Sequence, residues 1–234
     1  SFSKSQQNRV YLIFHKVFDI IGSLLGILFL IYLIPFVFLG NLIWNKGSLF
    51  YLQERVGKGA KLFKIIKLRT MVENAEISGA VWAQKNDARI TKFGKFLRRT
   101  RLDEVPQFIN ILKGDMSIIG PRPERTEFVA ELSENYPFYT IRNVIKPGLT
   151  GIGSLIFSNE EEILKKVSNP EDFYRTHIMP YKAALEEWFV TEKSFKVYLL
   201  ILIATFAKVV FRKNQSALPF DSLPKPSYEL ELVL

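Results

Sequence analysis

The chain contains no cysteine, and only two histidines, His15 and His177, occur among its 234 residues. Without cysteine there can be no disulfide framework, no thiolate metal site and no thiol nucleophile. The two histidines show no spacing typical of metal ligands, so we interpret both as structural. These absences leave carboxylates, hydroxyls, amines and guanidinium groups as the side chains available for catalysis.

Charge is missing from one long stretch, the 24 residues from Ile20 to Ile43. At about 1.5 Å of rise per helical residue, this stretch is long enough to cross a hydrocarbon core of roughly 30 Å. It is too long for the apolar region of a cleaved signal peptide. The sequence therefore predicts a membrane segment.

Two topologies of this segment stay open from the residues alone. Pro35 lies inside the apolar run and lacks the N–H that a continuous helix would use, so the helix can kink or break there. The positive-inside rule gives no clear orientation for a spanning helix, because basic residues flank both ends, namely Lys4, Arg9, Lys16, Lys46, Arg55, Lys58, Lys61 and Lys64. A hairpin that returns to its own side of the membrane and a single spanning helix both fit these observations.

Positive charge exceeds negative charge in the rest of the chain. There are 32 Lys and Arg residues against 23 Asp and Glu residues, a formal net charge of +9. This balance favours anionic partners, which include phospholipid headgroups, phosphorylated ligands and nucleic acid. The length fits one compact domain with accessory elements.

Local patterns predict a mixture of helices and a few strands. Two strand-like segments, Leu49–Gln53 and Leu62–Leu68, surround a glycine-containing turn. Glycine and proline favour a loop or turns over Lys146–Ser154. Helices are predicted at Glu124–Glu134 and Asn159–Lys166. Lys92–Arg99 is predicted to be a basic amphipathic helix, and Phe195–Phe211 is predicted to be an interfacial helix rather than a second span; both should lie at the headgroup layer.

A carboxylate pair follows directly after a basic run. Between Ala88 and Leu102 there are six basic residues and no acidic one, and Asp103 and Glu104 come next. Pro106 is suited to the first turn of a helix, so the pair is expected near a helix N-terminus, where the positive field of Arg98 and Arg101 should lower the pKa of Asp103. An aspartate there can attack phosphorus directly, although a solvated pair or a helix cap is the simpler alternative.

Three further cations are candidates for binding phosphate. Arg122 lies between two prolines that restrict the backbone, which is suited to a bidentate phosphate clamp. Lys67 and Arg69 alternate with apolar residues in strand-like register, so both should point to one face. The alternative for Arg122 is an incidental surface arginine in an extended linker. The alternative for Lys67 and Arg69 is a pair of ordinary solvated charges on a strand.

The order of the motifs resembles that of the bacterial sugar transferase family, the monotopic polyprenyl-phosphate phosphoglycosyltransferases. The resemblance runs from about Lys16 to Gly151 and continues more loosely over Tyr181–Arg212. The motifs that carry it are Gln53–Lys58, Lys67–Met71, Ala88–Thr91, Leu97-Arg98, Leu102–Gln107, Lys113–Ser117, Gly120–Pro123 and Lys146–Gly151.

The resemblance implies an α+β, mainly helical fold. It implies a re-entrant helix-break-helix in residues 1–45, a small cytosol-facing catalytic domain in 46–190, and an interfacial helix and tail in 191–234. It further implies a bacterial inner membrane location with the catalytic domain on the cytosolic face. The expected membrane partner is anionic phospholipid, no nucleic acid is expected, and a homodimer stays open.

The resemblance also implies a reaction. Asp103 is expected to attack the β-phosphate of a UDP-sugar, release UMP, and pass the phospho-sugar to a polyprenyl phosphate in a ping-pong mechanism. Mg²⁺ is the implied cofactor, with Asp103 and Glu104 as its ligands. Lys67, Arg69, Arg98, Arg101 and Arg122 are the expected substrate- or phosphate-binding residues.

Two other classes of protein share some of these features. A membrane-anchored basic protein that binds nucleic acid would also explain the positive charge, and a membrane scaffold would explain the apolar segments. Neither explains why an acid pair adjoins a basic run in a chain that also holds an arginine between two prolines.

Overall fold

The computed structural model describes residues 2–75, 87–135, 137–211, 220 and 222–234. Its helices are α1 Phe2–Trp44, α2 Lys92–Thr100, α3 Gln107–Lys113, α4 Thr126–Asn135, α5 Ile152–Ile156, α6 Glu160–Leu164, α7 Pro170–Phe173, α8 Met179–Glu192, α9 Phe195–Phe211 and α10 Tyr228–Glu231. Its strands are β1 Phe50–Val56, β2 Leu62–Leu68, β3 Ser117–Ile119 and β4 Gly148–Thr150. The mainly helical α+β prediction is confirmed.

Helix α1 continues through Pro35, so the break predicted within residues 1–45 does not interrupt its secondary structure. Within α1, Tyr11–Trp44 is long and apolar enough to cross a membrane, judged by length and composition. From Asp19 onward its buried positions recur mostly every three or four residues and form one stripe, Asp19, Ser23, Gly26, Leu30, Leu33, Val37, Gly40 and Asn41, continued after the helix by Asn45. The remaining faces are mostly exposed and apolar.

The chain divides into two compact units made of interleaved segments. The acid-pair unit contains Val17–Glu54 and Lys64–Gly114, and the C-terminal unit contains Ser1–Lys16, Arg55–Phe63 and Asp115–Leu234. This division by contacts differs from the three segments 1–45, 46–190 and 191–234, which stay predictions about membrane and catalytic parts.

The core of the acid-pair unit joins α1 to β2 and α2. Leu33 and Val37 of α1 pack with Leu68 of β2 and with Phe93 and Leu97 of α2. This confirms an amphipathic helix at Lys92–Arg99, because its apolar side is buried.

Two glycines let α1 approach the neighbouring helices of the same unit closely. A Cβ atom on Gly40 would lie 2.3 Å from the Phe93 ring of α2, and one on Gly26 would lie 2.2 Å from the Phe108 ring of α3. The buried stripe of α1 is therefore a protein contact along most of its length.

The C-terminal unit contains a parallel pair that corrects one sequence prediction. Residues 146–154 were expected to form only a loop or turns, yet β4 pairs with β3 and α5 begins at Ile152. The reason is close backbone approach, since a Cβ on Gly148 would lie 2.1 Å from the Gly120 amide nitrogen. Here glycine permits strand pairing, a use that local turn statistics do not reveal.

Helix α9 also belongs to the C-terminal unit and presents one apolar face outward. Tyr198, Ile201 and Ala204 are buried, and the exposed face consists of Phe195, Leu199, Ile203, Phe206 and Val209. The Nζ atom of Lys208 donates a hydrogen bond to the Leu155 carbonyl at 2.8 Å.

Candidate active site

The acid pair lies in a tight turn between α2 and α3. Arg101 ends α2 with φ 60° and ψ 13°, and Leu102–Glu104 then form one 3₁₀ turn. A non-glycine residue in the left-handed region costs about 1–2 kcal/mol, and such strain is common at functional sites. The turn connects α2 to α3 and places Asp103 and Glu104 next to each other in the chain, just before α3 begins at Gln107.

Asp103 is buried, with 9% of its surface exposed, and its Oδ1 atom has no hydrogen-bond partner among the described residues. Burial raises the pKa of Asp103 above its ordinary value, and Glu104 raises it further, while Lys67, Arg98 and Arg101 act to lower it. The lowered pKa expected from the basic run is therefore wrong, because desolvation outweighs the positive field.

Glu104 forms an ion pair with Lys67. Its Oε1 atom lies 3.3 Å from Lys67 Nζ, and both side chains are largely buried. Lys67 is held in place through β2, because Asn110 of α3 accepts from the Ile66 amide at 3.0 Å and donates to the Lys64 carbonyl at 2.8 Å.

Arg98 and Arg101 contribute the other positive charges near Asp103. Arg98 Nε donates to Thr70 Oγ1 at 2.9 Å, and this contact fixes the guanidinium relative to the end of β2. Arg101 is exposed. Four of the predicted residues, Lys67, Arg98, Arg101 and Glu104, are thus brought together around Asp103 in one unit.

Arg69 has a different environment from the one predicted. Its Nε donates to the Ser48 carbonyl at 2.6 Å, Nη1 to the Met71 carbonyl at 3.1 Å, and Nη2 to the Asn45 carbonyl and to that of Lys46 at 2.7 Å. Because all three nitrogens serve backbone carbonyls, this placement does not fit a phosphate-binding role. Arg69 instead fastens the residues after α1 to β2.

Two asparagines of α1 and its exit extend this fastening. Asn45 Nδ2 donates to the Arg69 carbonyl at 2.8 Å and to Asn41 Oδ1 at 3.1 Å, and Asn41 Nδ2 donates to the Gly47 carbonyl at 2.8 Å. This network was not predicted, and its signal in the sequence was the presence of two amides at the end of an apolar run.

Gln107 also has a buried polar side chain near the acid pair, and it was not among the predicted site residues. It begins α3, four residues after Asp103, and only 2% of its surface is exposed. Its Nε2 atom has no hydrogen-bond partner among the described residues. Its position inside the Leu102–Gln107 motif was the available signal.

Arg122 belongs to the C-terminal unit and is described there by itself. Pro121 and Pro123 are buried, while Arg122 between them is exposed. The two prolines therefore hold the backbone inside the unit, while the phosphate-binding role of Arg122 stays a prediction.

The donor set offers a divalent cation only a partial site. Among the described residues there is no group of three or more His, Asp or Glu side chains that could hold a metal ion. However, Mg²⁺ is commonly held by one or two carboxylates together with substrate phosphates and water. Asp103, with its unpartnered Oδ1, and the adjacent Glu104 fit this kind of site.

Comparison with known proteins gives a consistent family. The sequence profile described as Bacterial sugar transferase matches residues 10–212. A protein of Bacillus subtilis (strain 168), provisionally named undecaprenyl-phosphate N-acetylgalactosaminyl 1-phosphate transferase, is 48% identical over 142 residues, which are 61% of this chain and 79% of that protein.

Two further relatives are longer than this chain. The UDP-N-acetylgalactosamine-undecaprenyl-phosphate N-acetylgalactosaminephosphotransferase of Aeromonas hydrophila is 47% identical over 48% of this chain and 26% of its own length. The UDP-glucose:undecaprenyl-phosphate glucose-1-phosphate transferase of Klebsiella pneumoniae is 31% identical over 83% of this chain and 42% of its own length. This chain therefore spans less than half of either relative.

These matches do not support the nucleic-acid-binding or scaffold alternatives. The matched range includes the acid pair, the cationic residues around it and the loop that carries Arg122. The chain is therefore a transferase enzyme and belongs to the bacterial sugar transferase family.

Proposed function

We propose that the protein transfers a phospho-sugar from a UDP-sugar to a polyprenyl phosphate such as undecaprenyl phosphate, yielding polyprenyl-diphosphate-sugar and UMP. Asp103 carries this proposal, since a buried carboxylate with an unpartnered oxygen lies among Lys67, Arg98 and Arg101. The names of the relatives support the same class of donor and acceptor. The product would serve as the lipid-linked first intermediate of a surface glycan.

The reaction proceeds in two displacements. First, a carboxylate oxygen of Asp103 attacks the β-phosphorus, the bond to the bridging oxygen breaks, and UMP leaves with the electron pair. Next, a phosphate oxygen of the polyprenyl phosphate attacks the same phosphorus, and the bond to Asp103 breaks and restores the carboxylate. Neither displacement requires a general base, because both nucleophiles are already anionic.

Three cations of the acid-pair unit prepare Asp103 for this chemistry. Lys67, Arg98 and Arg101 attract the diphosphate and stabilise the ionised form of Asp103. For Arg122 of the C-terminal unit, the proposed role is binding of the nucleotide or its phosphate. A Mg²⁺ ion held by Asp103 and Glu104 would offset the negative charge on the diphosphate and on the leaving UMP.

The proposed location is the cytoplasmic membrane, with α1 bent at Pro35 so that it enters and leaves on the cytosolic face. The buried stripe of α1 supports this topology, because Gly26 and Gly40 contact helices of a unit that also exposes Lys92, Lys95 and Arg99. A helix that spans the bilayer is surrounded by about 30 Å of hydrocarbon. The charged unit packed against α1 would have to enter that hydrocarbon, which is energetically costly.

Cysteine accessibility tests this topology cleanly, because the chain has no cysteine of its own. Ser3→Cys and Ser48→Cys should both resist an impermeant thiol reagent in intact cells, and both should react after permeabilisation. A spanning helix would place the two positions on opposite sides. Labelling of either variant from outside the intact cell therefore contradicts the re-entrant arrangement.

The exposed apolar face of α9 is proposed to rest on the same membrane surface. Its large side chains, Phe195, Leu199, Ile203 and Phe206, form one side of the helix. Anionic phospholipid headgroups would meet the exposed lysines of α2, which strengthens adsorption to a surface.

The overall function is tested by measuring UMP release from a panel of UDP-sugars. We expect the purified protein with Mg²⁺ and undecaprenyl phosphate to release UMP from at least one of UDP-N-acetylgalactosamine, UDP-glucose and UDP-galactose. Labelled UMP should also exchange into that donor without any lipid acceptor, as a covalent intermediate requires. UMP release without such exchange would replace the two displacements by direct transfer, and no release from any donor would contradict the function.

A further inference from the structure

The loop Pro121–Glu124 is held by four separate hydrogen bonds, one to each consecutive carbonyl. The Gly148 amide donates to Pro121 at 2.7 Å, and the Val56 amide donates to Glu124 at 3.0 Å. Arg55 Nη1 donates to the Pro123 carbonyl at 3.1 Å, and Arg142 Nη2 donates to the Arg122 carbonyl. The donor that reaches Arg122 itself is thus a side chain.

Arg142 is buried and makes three contacts within the C-terminal unit. It lies in the 3₁₀ helix Pro137–Val144, and only 5% of its side chain is exposed. Besides the Arg122 carbonyl, its Nη2 meets Glu186 Oε1 of α8 at 3.3 Å, and its guanidinium carbon lies 4.4 Å from the centre of the Tyr139 ring. A planar guanidinium suits this combination of stacking and forked donation, which an ammonium group cannot reproduce.

We propose that Arg142 and Glu186 are positioning residues that fix the Arg122 carbonyl and thereby aim the Arg122 guanidinium at the phosphate or nucleotide of the donor substrate. The inference rests on the proposed function, in which Arg122 binds the donor. Neither Arg142 nor Glu186 is exposed, so both would act on donor binding through the Arg122 carbonyl and not by touching the donor. Fixing the arginine beforehand reduces the entropy that donor binding would otherwise cost.

Glu186 makes the hold on Arg142 sensitive to pH. Its Oε2 atom is buried without a hydrogen-bond partner among the described residues. Burial raises the pKa of Glu186 to about 7, Glu124 contributes in the same direction, and Arg142 and Lys182 oppose the shift. Lys182 is itself engaged by Glu160 and Tyr174.

The sign of the effect follows from this pKa. Above pH 7 Glu186 is ionised in the folded protein and attracts Arg142, and below pH 7 it takes up a proton and that attraction weakens. We therefore expect the KM for the UDP-sugar to rise by about threefold to tenfold as the pH falls from 8 to 6. Glu186→Gln should remove this part of the pH dependence.

A double-mutant cycle between Arg142 and Arg122 tests the coupling. Arg142→Lys should raise the KM for the UDP-sugar about tenfold with kcat changed less than about twofold, the pattern of lost uniform binding. In an Arg122→Ala background the same substitution should have little further effect, since the guanidinium that Arg142 is proposed to aim is gone although the carbonyl of residue 122 remains. Arg175→Lys, in the exposed pair with Glu171 of the same unit, is the matched control and should leave both constants unchanged.

The outcomes separate this inference from the proposed function. If Arg142→Lys raises KM equally with and without Arg122, Arg142 acts independently of Arg122 and the inference is overturned. If Arg122→Ala has the constants of the wild type, the donor-binding role in the proposed function fails instead. If thermal unfolding shows that Arg142→Lys is not folded, Glu186→Gln at pH 8 replaces it in the double-mutant cycle. If the KM of Glu186→Gln depends on pH as strongly as that of the wild type, the proposed role of Glu186 is overturned.

Discussion

Asp103→Asn is expected to lower UMP release by about a thousandfold or more, which is the scale seen when a covalent nucleophile is removed. The substitution keeps the size of the side chain and removes the negative charge, so the buried turn should still fold. It should also abolish transfer of label from a sugar-labelled UDP-sugar to the protein. Asp172→Asn, at an exposed position of α7, is the matched control and should retain full activity.

Exchange of labelled UMP identifies the nucleophile without any lipid acceptor. If Asp103→Asn still exchanges UMP into the UDP-sugar, a covalent step exists but another residue performs it. The wild type should also lose activity as the pH falls, because burial raises the pKa of Asp103 and the protonated acid cannot attack phosphorus.

Arg69→Met is expected to lower the free energy of unfolding by roughly 3–5 kcal/mol, a larger effect on stability than most single substitutions cause. The reason is that four carbonyls, those of Asn45, Lys46, Ser48 and Met71, lose their common donor. Each buried carbonyl left without a partner costs about 1–3 kcal/mol, less where water can reach it. Denaturant unfolding of the purified protein in detergent measures the difference.

Arg99→Met is the matched control for this substitution, because Arg99 is exposed on α2 and a surface change should stay within about 0.5 kcal/mol. Arg69→Lys should fall between the two, since an ammonium group supplies donors but not the planar fork. If Arg69→Met is as stable as Arg99→Met while UMP release falls, the phosphate-binding role first predicted for Arg69 regains its support.

Local sequence features were sufficient where the determining interactions are close in the chain. The uncharged run predicted the long apolar helix, the periodicity of Lys92–Arg99 predicted α2, and two β-rich segments predicted β1 and β2. The acid pair after a basic run was recognisable for the same reason, because its neighbours in sequence also supply part of its cationic field.

Segments far apart in the chain decided what local patterns could not. The local sequence predicted a turn at Gly148, whereas in the structure its backbone lies close to that of Gly120, which follows β3. Likewise the pKa of Asp103 depends on burial, which the number of nearby arginines in the sequence does not reveal. The pKa is raised, whereas the sequence predicted that it would be lowered.

Lys67 and Arg69 show this division most directly. The sequence by itself determined that β2 carries two cations in alternating register, and that Asp103-Glu104 follows a basic run. Only the tertiary structure decided that Lys67 meets Glu104, while Arg69 is taken up by the carbonyls that follow α1. The physical reason is that a strand sets the direction of a side chain through its own dihedral angles, whereas the group that a cation binds is supplied by whatever distant segment packs against it.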